Sequence, residues 1–298
     1  MPPKDLVVMT VFFGPLPPWL PLTLHSMAAN DGVDFVVVGD ATPPAVLPPN
    51  VRFQTISYPS MQARLAQLTG RPVAYATTYK ANDIKPLLPA LYPDAVTGYR
   101  WWGWADLDVV FGDLRKYVAL ATPRPACCAN QEVQCNKKAR RDRSSPCFNS
   151  SRPMRAADTF FDPHACPCTR GEEVSAISPL YPNPWRKKCW GPFTLFRADD
   201  GRGVRLYEQS PRWRNALSIG EYTHFDEWWG PFSQRGFETM GDVMTRASDE
   251  GHLVMSKALL PFAEAKSCVD IECTFCPCGA TRFRQRGRTL YVNDEEVS

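Results

Sequence analysis

The sequence predicts an α/β fold, a mixed and mostly parallel sheet flanked by helices. Residues 5–13 and 34–39 are continuous apolar, β-branched runs, the pattern of strands buried on both faces that is typical of parallel sheets. Helical segments separate most of the predicted strands, and this alternation indicates crossover connections. The 298 residues suffice for a sizeable core, and we predict a single domain over 1–298.

The predicted elements of the first 115 residues follow in the order strand, helix, strand, strand, helix, helix, strand. The first helix covers 19–29, and the next strand after 34–39 covers 51–56. Ser60 is the expected N-cap of a helix that ends at Thr69 before Gly70. A further helix is expected within 82–92, and a strand at 100–104. Later in the chain we expect strands at 190–197, 281–284 and 289–292, and helices at 205–216 and 236–247.

Charge and cysteine are concentrated in one segment, although the net charge of the chain is only +3. Residues 124–189 contain 12 Lys and Arg against 6 Asp and Glu, and 7 of the 11 cysteines. With its high proline and weak periodicity, the segment 123–188 is predicted to be a Cys-rich basic loop insertion. Its basic run at 137–143 is interpreted as a solvated loop, so no nucleic-acid partner is expected.

Four further cysteines lie within eleven residues, at Cys268, Cys273, Cys276 and Cys278. Structural zinc and disulfides with the insertion both remain open, with disulfides favoured because the spacing is not that of a standard zinc ribbon or finger. No apolar run is long enough for a transmembrane helix, and the first strand starts too near Met1 to leave room for a signal peptide. We expect either a cytoplasmic protein or, if a longer form carries an anchor, one of the Golgi or secretory lumen.

The most informative motif is a tryptophan-rich strand that ends in two acids, Asp106 and Asp108. Carboxylates in an apolar run are costly unless something compensates their charge, and a divalent cation with hard oxygen ligands does so. The alternative is that one Asp caps the following turn and the other pairs with an Arg. In open α/β sheets ligands bind beyond the carboxyl ends of the strands. Phe13, Gly14 and Asp40 are predicted to share that edge with the two acids.

Several segments in order resemble an uncharacterised family of bacterial glycosyltransferases with a GT-A-like fold. The resemblance covers most of the chain except 123–188. It is carried by Phe12–Pro17, Asp34–Asp40, the Tyr-Lys-x-x-Asp-x-Lys-Pro element at 79–86, the Trp-Gly-x-x-Asp-x-Asp-x-x-Phe-Gly element at 102–112, Trp190–Arg197 and Phe225–Trp228. Pro192 stands where the family pattern has His, so any role of that His is absent.

The resemblance implies a nucleotide-diphospho-sugar transferase fold, a nucleotide-sugar donor and Mn²⁺ or Mg²⁺. By analogy with GT-A enzymes, Asp106 would face the sugar or ribose, Asp108 would contact the metal, and Asp40 would lie near the nucleoside. Lys80 and Lys85 would contact the diphosphate or hold Asp83. The alternative for both lysines is an exposed amphipathic helix face.

A transferase of this kind that inverts the anomeric centre also needs a base for the acceptor hydroxyl, which would belong to a glycan or another alcohol. Asp226 and Glu227, beside Trp228 and Trp229, are the candidates, and His224 could ligate the metal. Two other functions remain open. One is a different metal-dependent transferase, such as a nucleotidyltransferase, and the other is a non-catalytic glycan- or nucleic-acid-binding protein.

Overall fold

A computed structural model describes residues 5–73, 75, 77–121, 174–180, 192–199, 201–211, 213–216, 225, 238–259, 262–264, 283–286, 289–292 and 295–297. The chain divides into two units, 1–121 with 174–298, and 122–173. All described residues belong to the first unit. Most of the predicted insertion, and all eleven cysteines, lie outside the described residues, so the choice between disulfides and zinc stays a prediction.

A seven-stranded mixed sheet organises the first unit, which confirms the predicted fold class. Its strand order is β3-β2-β1-β4-β7-β6-β8. Among these strands only β7 is antiparallel to its neighbours. The seven strands are β1 (Leu6–Phe12), β2 (Val33–Gly39), β3 (Val51–Thr55), β4 (Trp101–Ala105), β6 (Ala176–Leu180), β7 (Phe193–Arg197) and β8 (Met255–Leu259).

Two smaller sheets accompany the large one. The strand after the acidic motif, β5 (Val109–Phe111), pairs antiparallel with β9 (Phe262–Glu264). Near the end of the chain β10 (Phe283–Arg286), β11 (Thr289–Val292) and β12 (Glu295–Val297) form an antiparallel meander. The strand β6 lies within the segment 123–188 that the sequence assigned to the insertion. It nevertheless belongs to the large sheet, where its apolar start, Ala176-Ile177, is fully buried.

Apolar clusters cover both faces of the large sheet, because successive side chains of a strand alternate between its faces. In β1, Val7 and Met9 belong to the first apolar cluster, whereas Leu6 and Val8 belong to the second. The first cluster also contains side chains of α2 (Tyr58–Thr69), α3 (Leu88–Leu91) and α7 (Met240–Asp249). The second contains side chains of α1 (Leu20–Ala28) and α5 (Leu114–Ala121).

The helix boundaries differ from the sequence predictions where proline and capping decide them. The α2 helix begins three residues early, since Ser57 rather than Ser60 is its N-cap and accepts a hydrogen bond from the Ser60 N–H at 3.2 Å. It ends as predicted at Gly70, which has a φ of 69°. The segment predicted as one helix within 82–92 is a 3₁₀ helix, Thr78–Leu87, followed by α3.

Prolines explain most of these breaks. Pro86 and Pro89 lack the N–H that a continuous α-helix requires, and their rings clash with the preceding turn. The short helix α4 (Pro93–Val96) follows α3. The helix predicted at 205–216 is likewise split, into a 3₁₀ helix, Gly203–Gln209, and α6 (Trp213–Ala216), with Pro211 between them. The α7 helix starts later than predicted, at a capping box formed by Thr239 and Asp242.

Candidate functional site

The carboxyl ends of β1, β2 and β4 lie at the same edge of the large sheet. The three strands are parallel, with Phe12 opposite Gly39 and Met9 opposite Trp104. The residues that follow them, Phe13-Gly14, Asp40 and Asp106, therefore leave the sheet on one side. We call this edge, together with the turn that contains Asp108, the acidic edge.

The first two of these exits are tied together by a hydrogen bond. The N–H of Gly14 donates to Oδ1 of Asp40 at 2.7 Å. Gly14 has a φ of 109°, a backbone conformation that residues with a Cβ rarely adopt, which explains glycine at this position. Asp40 is exposed. Its carboxylate is thus held in place by the backbone of the neighbouring strand exit.

Asp106 is held by its backbone on both sides. Its N–H donates to the carbonyl of Pro192 at 3.0 Å, and its own carbonyl accepts the N–H of Val109 at 3.3 Å. The side chain of Asp106 is 28% exposed. The sequence did not reveal Pro192 as a partner, because its contribution is a backbone carbonyl that every residue type has. Pro192 therefore fixes the Asp106 backbone through its own main chain.

Thr23 of α1 and Asn30, two residues after the end of that helix, hold the backbone around the rest of the acidic turn. The Thr23 hydroxyl donates to the Leu107 carbonyl at 2.9 Å, and Leu107 itself is buried in the second apolar cluster. Asn30 donates to the Gly112 carbonyl and accepts from the Leu114 N–H, both at 2.9 Å. Asp108 lies between these anchors and is half-buried. Hydrogen bonds thus hold the turn that carries the two acids on both sides of Asp108.

Both candidate lysines are buried, so the interpretation of an exposed helix face is wrong. The side chain of Lys80 is 3% exposed and that of Lys85 is 2% exposed. Lys80 pairs with the fully buried Asp83 of the same 3₁₀ helix. This pairing follows from the helix type, since three residues per turn bring positions i and i+3 into line.

Lys85 has a different partner: its Nζ lies 2.5 Å from Oδ1 of Asp106. The 3₁₀ helix therefore delivers a buried positive charge to the acidic edge. Sequence reasoning identified Lys85 and Asp106 as site candidates but did not pair them with each other. Such a pairing joins residues on different elements, and no local spacing reveals it.

Phe13 connects the acidic edge to the start of the 3₁₀ helix through Tyr58. The two rings meet edge to face, with their centroids 5.0 Å apart. The Tyr58 hydroxyl donates to the carbonyl of Thr77 at 2.6 Å. Burial raises the pKa of Tyr58 to about 12, with the Gln62 hydrogen bond acting against it and the charge of Asp83 adding to it. The tyrosine is therefore neutral at physiological pH and can donate this bond.

The donor set at the acidic edge suits a hard divalent cation. Within the residues that the structure describes, no three or more His, Cys, Asp and Glu side chains gather into a metal-binding group. Asp106 and Asp108 nevertheless supply carboxylate oxygens from one turn. Mg²⁺ is commonly bound by one or two carboxylates together with waters and substrate phosphates, so two acids fit such an ion.

The candidates at the second motif lie outside the described residues: His224, Asp226 and Glu227. Phe225, which precedes the two acids, is fully buried in the first apolar cluster. Its carbonyl accepts the N–H of Met240 at 2.8 Å, at the start of α7. In the described part of the chain, no helix is long and apolar enough to cross a membrane.

Comparison with known proteins gives a family of unknown function and distant structural likenesses. The family of unknown function DUF6625 matches residues 8–123, the stretch that contains the acidic edge and both buried lysines. No curated protein matches the chain.

Among solved structures, the galactosyltransferase LgtC in complex with donor and acceptor sugar analogues is similar, with a TM-score of 0.37 and 9% identity over 84% of this chain and 72% of LgtC. An active-site mutant of LgtC gives a TM-score of 0.38 and 8% identity over the same shares. A glycosyltransferase involved in the glycosylation of the major capsid of PBCV-1 gives a TM-score of 0.31 and 9% identity over 69% of this chain and 68% of that glycosyltransferase.

Proposed function

We propose that the protein is a metal-dependent glycosyltransferase that moves a sugar from a nucleotide-sugar donor to a hydroxyl acceptor, a glycan or another alcohol. The observation that carries the proposal is the acidic edge itself. Two carboxylates follow the central strand β4 on a turn held by α1 and by Pro192, and a buried lysine lies against the first of them. Four of the ordered motifs that resemble GT-A-like glycosyltransferases contain the residues of this edge and Lys85.

The reaction breaks the bond between the anomeric carbon and a diphosphate oxygen, and forms a bond from that carbon to the acceptor oxygen. The nucleoside diphosphate leaves, and the acceptor proton goes to a base. Negative charge therefore builds on the leaving diphosphate in the transition state. Preorganised positive charge lowers the barrier of such a step most effectively.

Asp106 and Asp108 would hold Mn²⁺ or Mg²⁺, which when bound supplies Lewis-acid stabilisation of the diphosphate charge. Lys85 adds a positive charge at the same edge. Gly14 and Asp40, joined by their hydrogen bond, would orient the nucleoside, and Phe13 would support them through Tyr58. Lys80 would act through Asp83, which keeps the 3₁₀ helix and hence Lys85 in place.

Asp226 and Glu227 remain our candidates for the base that removes the acceptor proton, and His224 for a further metal ligand. In the chain, His224 precedes the buried Phe225, and Asp226 and Glu227 follow it. The Phe225 carbonyl accepts the N–H of Met240 at the start of α7. A retaining reaction would not require this base.

The first test is Asp108→Ala, assayed with Mn²⁺ and a panel of nucleotide sugars by the release of nucleoside diphosphate. We expect turnover to fall on the order of 100-fold, since losing a metal ligand removes several kcal/mol of charge stabilisation. Asp113→Ala is the matched control, because Asp113 is an exposed acid five residues further on, and its variant should keep wild-type turnover.

Wild-type turnover of Asp108→Ala with metal present would show that the metal is held elsewhere. Release of pyrophosphate instead of nucleoside diphosphate would identify a nucleotidyltransferase. Binding of glycans without turnover of any donor would identify a non-catalytic protein. Thermal unfolding of each variant establishes that the turn is still folded.

A further inference from the structure

The positive charge of Lys85 affects any metal ion that binds at the acidic edge. Lys85 is almost completely buried, and its ammonium group lies 2.5 Å from Oδ1 of Asp106, which is itself partly exposed. A buried cation is stable only beside an opposite charge, so Asp106 neutralises Lys85 in the protein alone. A divalent cation on Asp106 would share that carboxylate with a charge of its own sign.

From this geometry we propose that Lys85 is a positioning residue that couples metal binding to nucleotide binding. The inference rests on the proposed function and assigns to Lys85 a role in the order in which its ligands bind. Without nucleotide, Lys85 repels the cation and competes for Asp106, so the metal binds weakly. With a diphosphate present, its negative charge attracts both the Lys85 ammonium group and the cation. The cation and the nucleotide then bind together beside Lys85.

The charges of the site support this coupling. Lys85 and Asp106 together carry no net charge, so this pair offers a divalent cation no net attraction. A diphosphate supplies negative charge that attracts Lys85 and the cation alike. Because Lys85 is shielded from solvent, its repulsion of the cation is screened far less than that between surface charges.

An exposed arginine provides the comparison. Arg115, on α5, lies seven residues after Asp108 and is exposed. Solvent screens its charge far more than that of the buried Lys85. Removing Arg115 therefore takes one positive charge from the protein and leaves the Lys85–Asp106 pair in place. An effect specific to the buried charge at the acidic edge should appear for Lys85 and not for Arg115.

The experiment measures the Kd of Mn²⁺ by electron paramagnetic resonance, first alone and then with saturating UDP or GDP. For the wild type we expect the nucleotide to tighten Mn²⁺ binding about tenfold or more, within the usual range of coupling between sites. Mn²⁺ must tighten nucleotide binding by the same factor, which serves as an internal check.

For Lys85→Met we expect Mn²⁺ alone to bind more tightly than to the wild type, and the enhancement by nucleotide to be at least about threefold smaller than in the wild type. Arg115→Met should keep the wild-type enhancement. An unchanged enhancement in Lys85→Met, or an equal loss in Arg115→Met, overturns the inference. Should Lys85→Met not fold, Lys85→Gln, which can still donate a hydrogen bond to Asp106, takes its place with the same expected loss.

Binding of Mn²⁺ and of nucleotide to the wild type separates failure of the proposed function from failure of the coupling. A wild-type protein that binds neither Mn²⁺ nor any nucleoside diphosphate overturns the proposed function and this inference with it. A wild-type protein that binds both, without mutual enhancement, overturns the coupling and leaves the proposed function standing.

Discussion

At the scale of single residues, buried charges say most about this protein. Lys80 and Lys85 are separated by five positions and equally buried, yet one stabilises its own helix and the other reaches the acidic edge. The sequence identifies both as unusual, because the Tyr-Lys-x-x-Asp-x-Lys-Pro element is distinctive. It cannot show which acid each lysine meets, since that depends on how the 3₁₀ helix packs against the large sheet.

Gly103 is the residue on which the approach of β7 to β4 depends. A Cβ at this position would lie 2.5 Å from the Thr194 carbonyl oxygen and 2.4 Å from Cδ2 of Leu195. The leucine could rotate, but the carbonyl belongs to the backbone of β7. Gly103→Ala should therefore lower the free energy of unfolding by about 3 kcal/mol, measured by denaturant titration.

Gly70→Ala is the control for this substitution. Gly70 has a positive φ but open space around its would-be Cβ, so only the backbone conformation is strained. We expect a loss of about 1 kcal/mol. Equal losses for the two variants would contradict the role of close strand approach at Gly103.

At the scale of elements, the 3₁₀ helix Thr78–Leu87 positions the site. It carries both buried lysines, and its first turn receives the Tyr58 hydrogen bond at Thr77. The sequence predicted one helix within 82–92, and the structure has this 3₁₀ helix and α3 instead. The prolines give the physical reason, and tighter winding brings Lys80 and Asp83 into register.

Breaking the Lys80–Asp83 pair should be costly because it lies in the interior. In Asp83→Asn, Lys80 loses its carboxylate while it stays buried, and we expect a loss of about 3–5 kcal/mol in the free energy of unfolding. Glu208→Gln is the matched control, since Arg205 and Glu208 form an i,i+3 pair on the other 3₁₀ helix. Because that pair is solvent-exposed, its loss should change stability little. Similar effects of both substitutions would contradict the importance of burial.

At the scale of the whole molecule, tyrosines distributed through the first unit connect folding to alkaline pH. Burial raises the pKa of Tyr58 and Tyr207 to about 12. It is also the main cause of raised pKa values at Tyr75, Tyr92, Tyr99 and Tyr117. The unfolded chain, with an ordinary tyrosine pKa near 10, loses these protons first.

Stability should therefore be fully present below pH 10 and fall as the pH rises from 10 to 12. Denaturant titrations at pH 9, 10 and 11, with tyrosinate absorbance at 295 nm, measure both the loss and the ionisation. Tyr58→Phe should show a shallower decline, since one hydroxyl with a raised pKa is gone. Stability that stays constant or increases over this range would contradict the prediction.

The sequence by itself determined the architecture around the acidic edge. Continuous apolar runs predicted strands buried on both faces, and β1, β2, β3 and β4 all lie within two residues of their predicted bounds. These features are local: hydrophobic pattern, glycine at Gly70 and the abrupt appearance of acids after tryptophans are visible in a short window of the chain.

Only the tertiary structure decided which side chains meet. The Lys85–Asp106 pair joins two elements, as does the hydrogen bond between Gly14 and Asp40. The Pro192 carbonyl, just before β7, accepts from Asp106 although the two residues are far apart in the chain. The antiparallel direction of β7 and the burial of both lysines are likewise products of packing. The physical reason is that such contacts depend on the arrangement of whole elements around the sheet, which no residue spacing along the chain specifies.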